Sequence, residues 1–104
     1  MRVEVLHVAD CPNTAVITRR LATLIAGRSD VTIAHRVIHD EAEAVAFGMT
    51  GSPTLLVDGI DPFAAGQPAS LSCRLYTDES GTVSGAPSLT QLRTVLDGAV
   101  EATP

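Results

Sequence analysis

The side chains with chemistry to offer are two cysteines and three histidines: Cys11, Cys73, His7, His35 and His39. A thiolate is both a nucleophile and a ligand for soft metals, so the cysteines come first. Cys11 stands in HVADCPNT, between a run of β-branched residues and a run with helical spacing. A thiol at the start of a helix feels the positive end of the dipole and unpaired backbone N–H groups, which favours the thiolate. Asp10 works in the other direction, because one negative charge disfavours a second beside it. A half-buried structural cysteine is the competing reading. Cys73 reads either as a second functional thiol or as an ordinary strand cysteine. His35 and His39 have the i, i+4 spacing that suits a metal on a helix. They lie along and just after a strand, however, where four residues cover ~13 Å. His7, near the Cys11 end of the first strand, reads as a solvated or hydrogen-bonded residue. The sequence has no CxxC, HExxH, GxGxxG or P-loop pattern, so no resident metal site and no cofactor are expected.

The elements that must position Cys11 follow from periodicity. Arg2 to Val8, RVEVLHV, alternates in the manner of a strand,. Asp10-Cys11-Pro12-Asn13 breaks it, and proline suits the first position of a helix. Ile17, Leu21, Leu24 and Ile25 then share one helical face, and Gly27 supplies a stop,. Val31 to Ile38 is the second strand. Asp40 and Glu43 have the spacing of a capping box ahead of a short alanine-rich helix, Glu41 to Phe47, which Gly48 can close,. Thr50-Gly51-Ser52-Pro53 leads into an apolar strand, Thr54 to Val57, and the turn Asp58-Gly59. Ile60 to Ser72 reads as irregular, with Pro62 and Pro68 inside it. Cys73 to Asp78 and Thr82 to Gly85 then flank Glu79-Ser80-Gly81 as a hairpin. Ser88 and Gln91 form a second capping box for a last helix, with Leu89, Leu92, Val95, Leu96 and Ala99 on its inner face and a frayed tail beyond,. The order is strand, helix, strand, helix, strand, hairpin, helix. It makes an α/β domain whose first two strands should be parallel.

Composition narrows the functions. The chain has 104 residues, about one domain, and a net charge of −5 with arginine as its only strongly basic residue type,. An acidic chain with no basic run is a poor nucleic-acid binder. Phe47, Phe63 and Tyr76 offer no base-stacking platform,. No apolar run approaches the ~20 residues of a membrane span. Glu4 and His7 interrupt any signal-like pattern, so a cytoplasmic chain is expected,. Two distant cysteines are too few for a disulfide-stapled secreted scaffold, and in a reducing compartment they rest as thiols.

Three stretches resemble the thioredoxin superfamily: HVADCPNT at the strand-to-helix junction, TGSPTLLVDG, and GAPSLTQLRTVLDGA. The second is similar to the loop in which that family carries a cis-proline before a central strand. The third is similar in layout to its last strand and helix. Together they cover nearly the whole chain in order, apart from Ile60 to about Tyr76. The resemblance implies one thioredoxin-like domain over residues 1–104. It would have a central mixed sheet, flanking helices and an inserted loop or hairpin after the cis-Pro strand. It implies a nucleophilic Cys11, and an extended partner bound near Ser52, Pro53 and Thr14. Thr14 stands where thioredoxins proper carry their second cysteine, so exchange within that motif is impossible. If Thr82 to Gly85 enters the last helix from the active-site end, its hairpin partner begins there, and Cys73 would lie near Cys11. The chain is also similar to short thioredoxin-like proteins sometimes labelled alkylmercury lyase.

Three functional expectations follow. In the first, a thiol-dependent redox protein attacks a protein or small-molecule disulfide through Cys11, and Cys73 or an external thiol resolves the product. In the second, Cys11 and Cys73 hold a soft metal ion or organomercurial, with Asp10 as proton donor. In the third, the fold serves as a non-catalytic binding module.

Overall fold

The computed structural model describes residues 1–101, with side chains through residue 98. Its elements, in chain order, are β1 (Arg2–His7), α1 (Pro12–Ile25), β2 (Thr32–Val37), α2 (Glu41–Phe47), β3 (Thr50–Ser52), β4 (Thr54–Val57), β5 (Ser70–Cys73), β6 (Tyr76–Thr77), β7 (Val83–Ser84) and α3 (Leu89–Glu101).

The alternation in β1 decides the layering. Val3 and Val5 point to one face of the sheet, into a core shared with Ile17 and Leu21 of α1, Leu55 and Val57 of β4, and Leu92 and Leu96 of α3. Leu6 points to the other face, where it meets Ile38, Ala44 of α2 and Met49. Each fully buried aliphatic side chain contributes about 1.5–3 kcal/mol, and period two lets one strand supply both cores. The sheet order is β2-β1-β4. β1 runs parallel to β2, with Val5 opposite His35, and antiparallel to β4, with Val5 opposite Leu55. The result is a mixed sheet with α1 and α3 on one face and α2 on the other.

The helix boundaries follow the capping residues. Asp40 accepts the Glu43 N–H at 2.8 Å, and Gly48 ends α2 in the left-handed conformation at φ 84°. Glu43 returns its carboxylate to the backbone of His39, one residue ahead of the cap, and also takes the His39 ring. At α3 the box is reciprocal: Ser88 Oγ accepts the Gln91 N–H and Gln91 Oε1 accepts the Ser88 N–H, both at 3.0 Å. The side chain of Ala99 and the tail from 102 onward lie outside the described residues.

The segment after β4 departs from the sequence expectation. Asp58-Gly59 is a tight turn with both residues at positive φ. Beyond it, Ser70 to Cys73 is not the end of an irregular loop and the start of a hairpin. It is a separate strand, β5, paired in parallel with β3. The hairpin is confined to β6 and β7, with Tyr76 opposite Ser84 and Thr77 opposite Val83. Arg74 causes the break. Its N–H goes to the Ser52 carbonyl at 3.0 Å, and its side chain turns into the interior, only 4% exposed. β5 therefore ends at Cys73, and pairing resumes only at Tyr76, where β6 begins the hairpin. The strand ahead of the last helix, β7, pairs with β6 and does not join the main sheet.

Candidate functional site around Cys11

Cys11 is the N-cap of α1, in extended conformation, with Pro12 opening the first turn. The residue before it, Asp10, is left-handed at φ 63°. Aspartate tolerates that region better than branched residues do. The Asp10 turn thus carries the chain from β1 into the helix, and Asp10 itself is exposed.

The surroundings of the thiol are mostly hydroxyl and amide. Burial raises its pKa and is the largest single effect. Against it act the hydroxyls of Ser52 and Thr14 and the backbone N–H groups of Asn13 and Thr14, and together they prevail: the Cys11 thiol lies below its ordinary value. The sulfur makes no well-formed capping bond of its own, so this is the pull of several donors on a thiolate, not one strong bond. The charge of Asp10 is not among these influences.

Both hydroxyls are arranged to donate. Ser52 is 1% exposed, and its oxygen accepts the Val8 N–H at 3.1 Å, so its proton is free to point to the sulfur. Thr14 Oγ1 is buried and has no hydrogen-bond partner. A buried polar atom left unpaired costs about 1–3 kcal/mol. A thiolate at Cys11 would remove that cost, whereas a neutral thiol is a poor acceptor. The Asn13 side-chain amide lies against Gly85, where a Cβ would overlap it.

Pro53 follows a cis peptide bond from Ser52, and its carbonyl accepts the hydroxyl of buried Tyr76. Burial pushes the Tyr76 hydroxyl well above its ordinary value, so it stays a neutral donor. Cys73 is exposed, and both cysteines are free thiols. In the β3–β5 ladder the partner of Cys73 is Ser52. Cys11, Thr14, Ser52, Pro53 and Cys73 are therefore grouped around one residue, Ser52. The Asp10 carboxylate is not joined to them by any hydrogen bond among the described residues.

Sequence reasoning missed the cluster beneath this site. Arg74 bonds Asp61 at 2.6 Å, the Phe63 carbonyl at 2.8 Å and Thr50 Oγ1 at 3.0 Å, and its guanidinium lies 4.8 Å from the centre of the Tyr76 ring. This clamp ties the segment from Ile60 to Ser72 to β3. Hydropathy pointed the wrong way here, since Leu75 is 68% exposed while Arg74 and Tyr76 are buried. The one available signal was a lone arginine beside Cys73 and a lone acid, Asp61, in the apolar insertion. Among the histidines, the pair brought together is His7 and His35, with ring centres 6.2 Å apart; His39 sits with Glu43. The described residues contain no group of three or more His, Cys, Asp or Glu side chains placed to hold a metal. None of the described helices is long and apolar enough to cross a membrane.

Comparison of the chain with protein-family models, with curated proteins and with solved structures found no match.

Proposed function

We propose that the chain is a thioredoxin-like thiol redox protein in which Cys11 attacks a disulfide and forms a mixed disulfide with half of it. The observation that carries this reading is the setting of Cys11. It is a partly exposed thiol at a helix N-terminus, faced by a hydroxyl without another partner, with its ionisation shifted toward the thiolate. Structural cysteines have no use for such an arrangement, and reactive ones depend on it. The thioredoxin-like part of the reading is supported by the β2-β1-β4 order, by Cys11 opening the helix after the central strand, and by Ser52–Pro53 preceding β4. The isolation of β7 from the sheet is a departure from that likeness.

Arithmetic limits what the shifted thiol gains. A tenfold rise in thiolate fraction costs roughly threefold in intrinsic nucleophilicity, so the net gain at neutral pH is about threefold. The test is the alkylation rate of Cys11 against pH in a Cys73→Ser variant, alongside a peptide thiol. The expected midpoint lies below the free-cysteine value of ~8.5, with a neutral-pH rate above that of the peptide. A midpoint at the peptide's value with an equal rate would overturn the proposal.

A further inference from the structure

Cys11 and Cys73 are far apart in sequence, and Ser52 is a neighbour of each. The Ser52 hydroxyl accepts the Val8 N–H at 3.1 Å, just past the end of β1 and three residues before Cys11, and the Ser52 backbone is the register partner of Cys73. The ladder shifts register between Thr50 and Ser52, and it still sets the Cys73 backbone beside Ser52, with the Cys73 side chain exposed. Nor is β5 a loosely held insertion. A Cβ at Gly51 would lie 2.6 Å from Arg74 Cβ, so the two strands approach at closest packing. Arg74 itself is anchored to Asp61 and to the Phe63 carbonyl. The same pairing has a second consequence. β5 occupies the edge of β3 and its continuation donates the Arg74 N–H to the Ser52 carbonyl, so that edge is not open for an extended chain to add as a further strand,.

We propose that Cys73 is the in-chain thiol that displaces the substrate from Cys11, and that the substrate is a small organic disulfide, not an extended polypeptide. This rests on Cys11 being the nucleophile. In the first step the Cys11 thiolate attacks one sulfur of the disulfide RSSR. The S–S bond breaks, RS⁻ leaves and takes a proton from solvent, and Cys11 is left bonded to the second RS group. In the second step Cys73 loses its proton to solvent, and its thiolate attacks the Cys11 sulfur. The second RS⁻ leaves and is protonated. Two protein thiols have lost two electrons to one disulfide, and the products are a Cys11–Cys73 disulfide and two RSH. Excess RSH reverses both steps.

The probe is oxidised glutathione added to the reduced full-length chain, with acid quenching, intact mass measurement and peptide mapping. Wild type is expected to end as the internal disulfide without bound glutathione. Cys73→Ser is expected to keep one glutathione on Cys11, lasting at least about tenfold longer, because an in-chain thiol acts at millimolar or higher effective concentration. Cys73 is exposed, so serine there leaves the core untouched, and a circular dichroism spectrum checks that the variant is folded. An adduct that persists equally in wild type and Cys73→Ser overturns the resolving role alone. Faster reaction with a linear peptide carrying a glutathione mixed disulfide than with oxidised glutathione overturns the substrate class. Failure of Cys11 to take up glutathione faster than a peptide thiol in either protein removes the nucleophile itself, and the proposal with it.

Discussion

Thr14 carries two roles of opposite sign, which makes it the most informative single residue. Its buried, unpaired hydroxyl weakens the fold, and its effect on Cys11 favours the thiolate. Thr14→Val keeps the shape and removes the oxygen. The variant should be as stable as wild type or more so, by up to about 1 kcal/mol, while the midpoint of Cys11 alkylation moves up. Urea unfolding and the pH–rate profile read the two effects separately. A loss of stability, or an unmoved midpoint, would mean that the hydroxyl is satisfied elsewhere. The ionisation of Cys11 also has a thermodynamic signature. Its folded-state pKa is depressed, so its stabilising contribution is zero below that value. It grows as pH rises toward the unfolded value of ~8.5, and is constant above. Reduced wild type should therefore gain on Cys11→Ser as pH rises through that window, and lose the gain as pH falls. Serine is a good N-cap, so the absolute difference is uninformative and the slope decides. A flat difference in paired urea titrations would mean that the thiol is unperturbed.

At the scale of elements, the insertion is held by a buried ion pair, and that pair predicts how the segment fails. The Arg74 and Asp61 side chains are 3% and 11% exposed. Removing one partner strands the other charge, which typically costs about 3–5 kcal/mol. Asp61→Ala should lose about that much in urea unfolding, and Asp61→Leu combined with Arg74→Met should recover a large part of it. Amide exchange should speed up first at Ser70 and Arg74, whose N–H groups bond Met49 and Ser52, before β1 is affected. A loss below about 1 kcal/mol would show that the guanidinium finds water once its partner is gone. These residues also show what sequence could and could not reveal. β1, α1, α2 and α3 were legible because alternation, helical spacing and capping residues are local signals: Val3 with Val5, Ile17 with Leu21, Ser88 with Gln91. β5 was not. Its partner, β3, lies some twenty residues earlier, so pairing is set by the path of the chain and not by periodicity. The buried side of Cys73-Arg74-Leu75-Tyr76 is the arginine side, which inverts the hydropathic expectation. Cys11 could be placed from its junction, whereas Thr14's unpaired hydroxyl and the pairing of Ser52 with Cys73 exist only in three dimensions.

For the whole molecule, the question is whether the two cysteines hold the fold or merely ride on it. Neither belongs to the two apolar clusters that flank the sheet, and both are free thiols in the folded chain. The fold therefore does not depend on their pairing, and a Cys11→Ser, Cys73→Ser double variant should unfold cooperatively within about 1 kcal/mol of the reduced wild type. Oxidation acts differently. A Cys11–Cys73 bond closes a loop over more than half the chain, which in the chain-entropy account stabilises the folded state by about 4 kcal/mol when the native geometry accepts it without strain. Ser52 neighbours the backbone of Cys73 and the junction that carries Cys11, so an oxidised protein more stable by about 2–4 kcal/mol is expected. By linkage, the same free energy is the preference of the folded chain for the disulfide over the dithiol. It places the couple roughly 40–90 mV below that of the unfolded peptide. The comparison is urea unfolding of oxidised and reduced protein, beside glutathione redox titrations in native buffer and in denaturant. Equal stability of the two forms, or a less stable oxidised form, would mean that the bond closes only by moving β5 against β3. The Arg74 N–H bond to Ser52 would then be the first to break, and Arg74 amide exchange would rise on oxidation instead of falling.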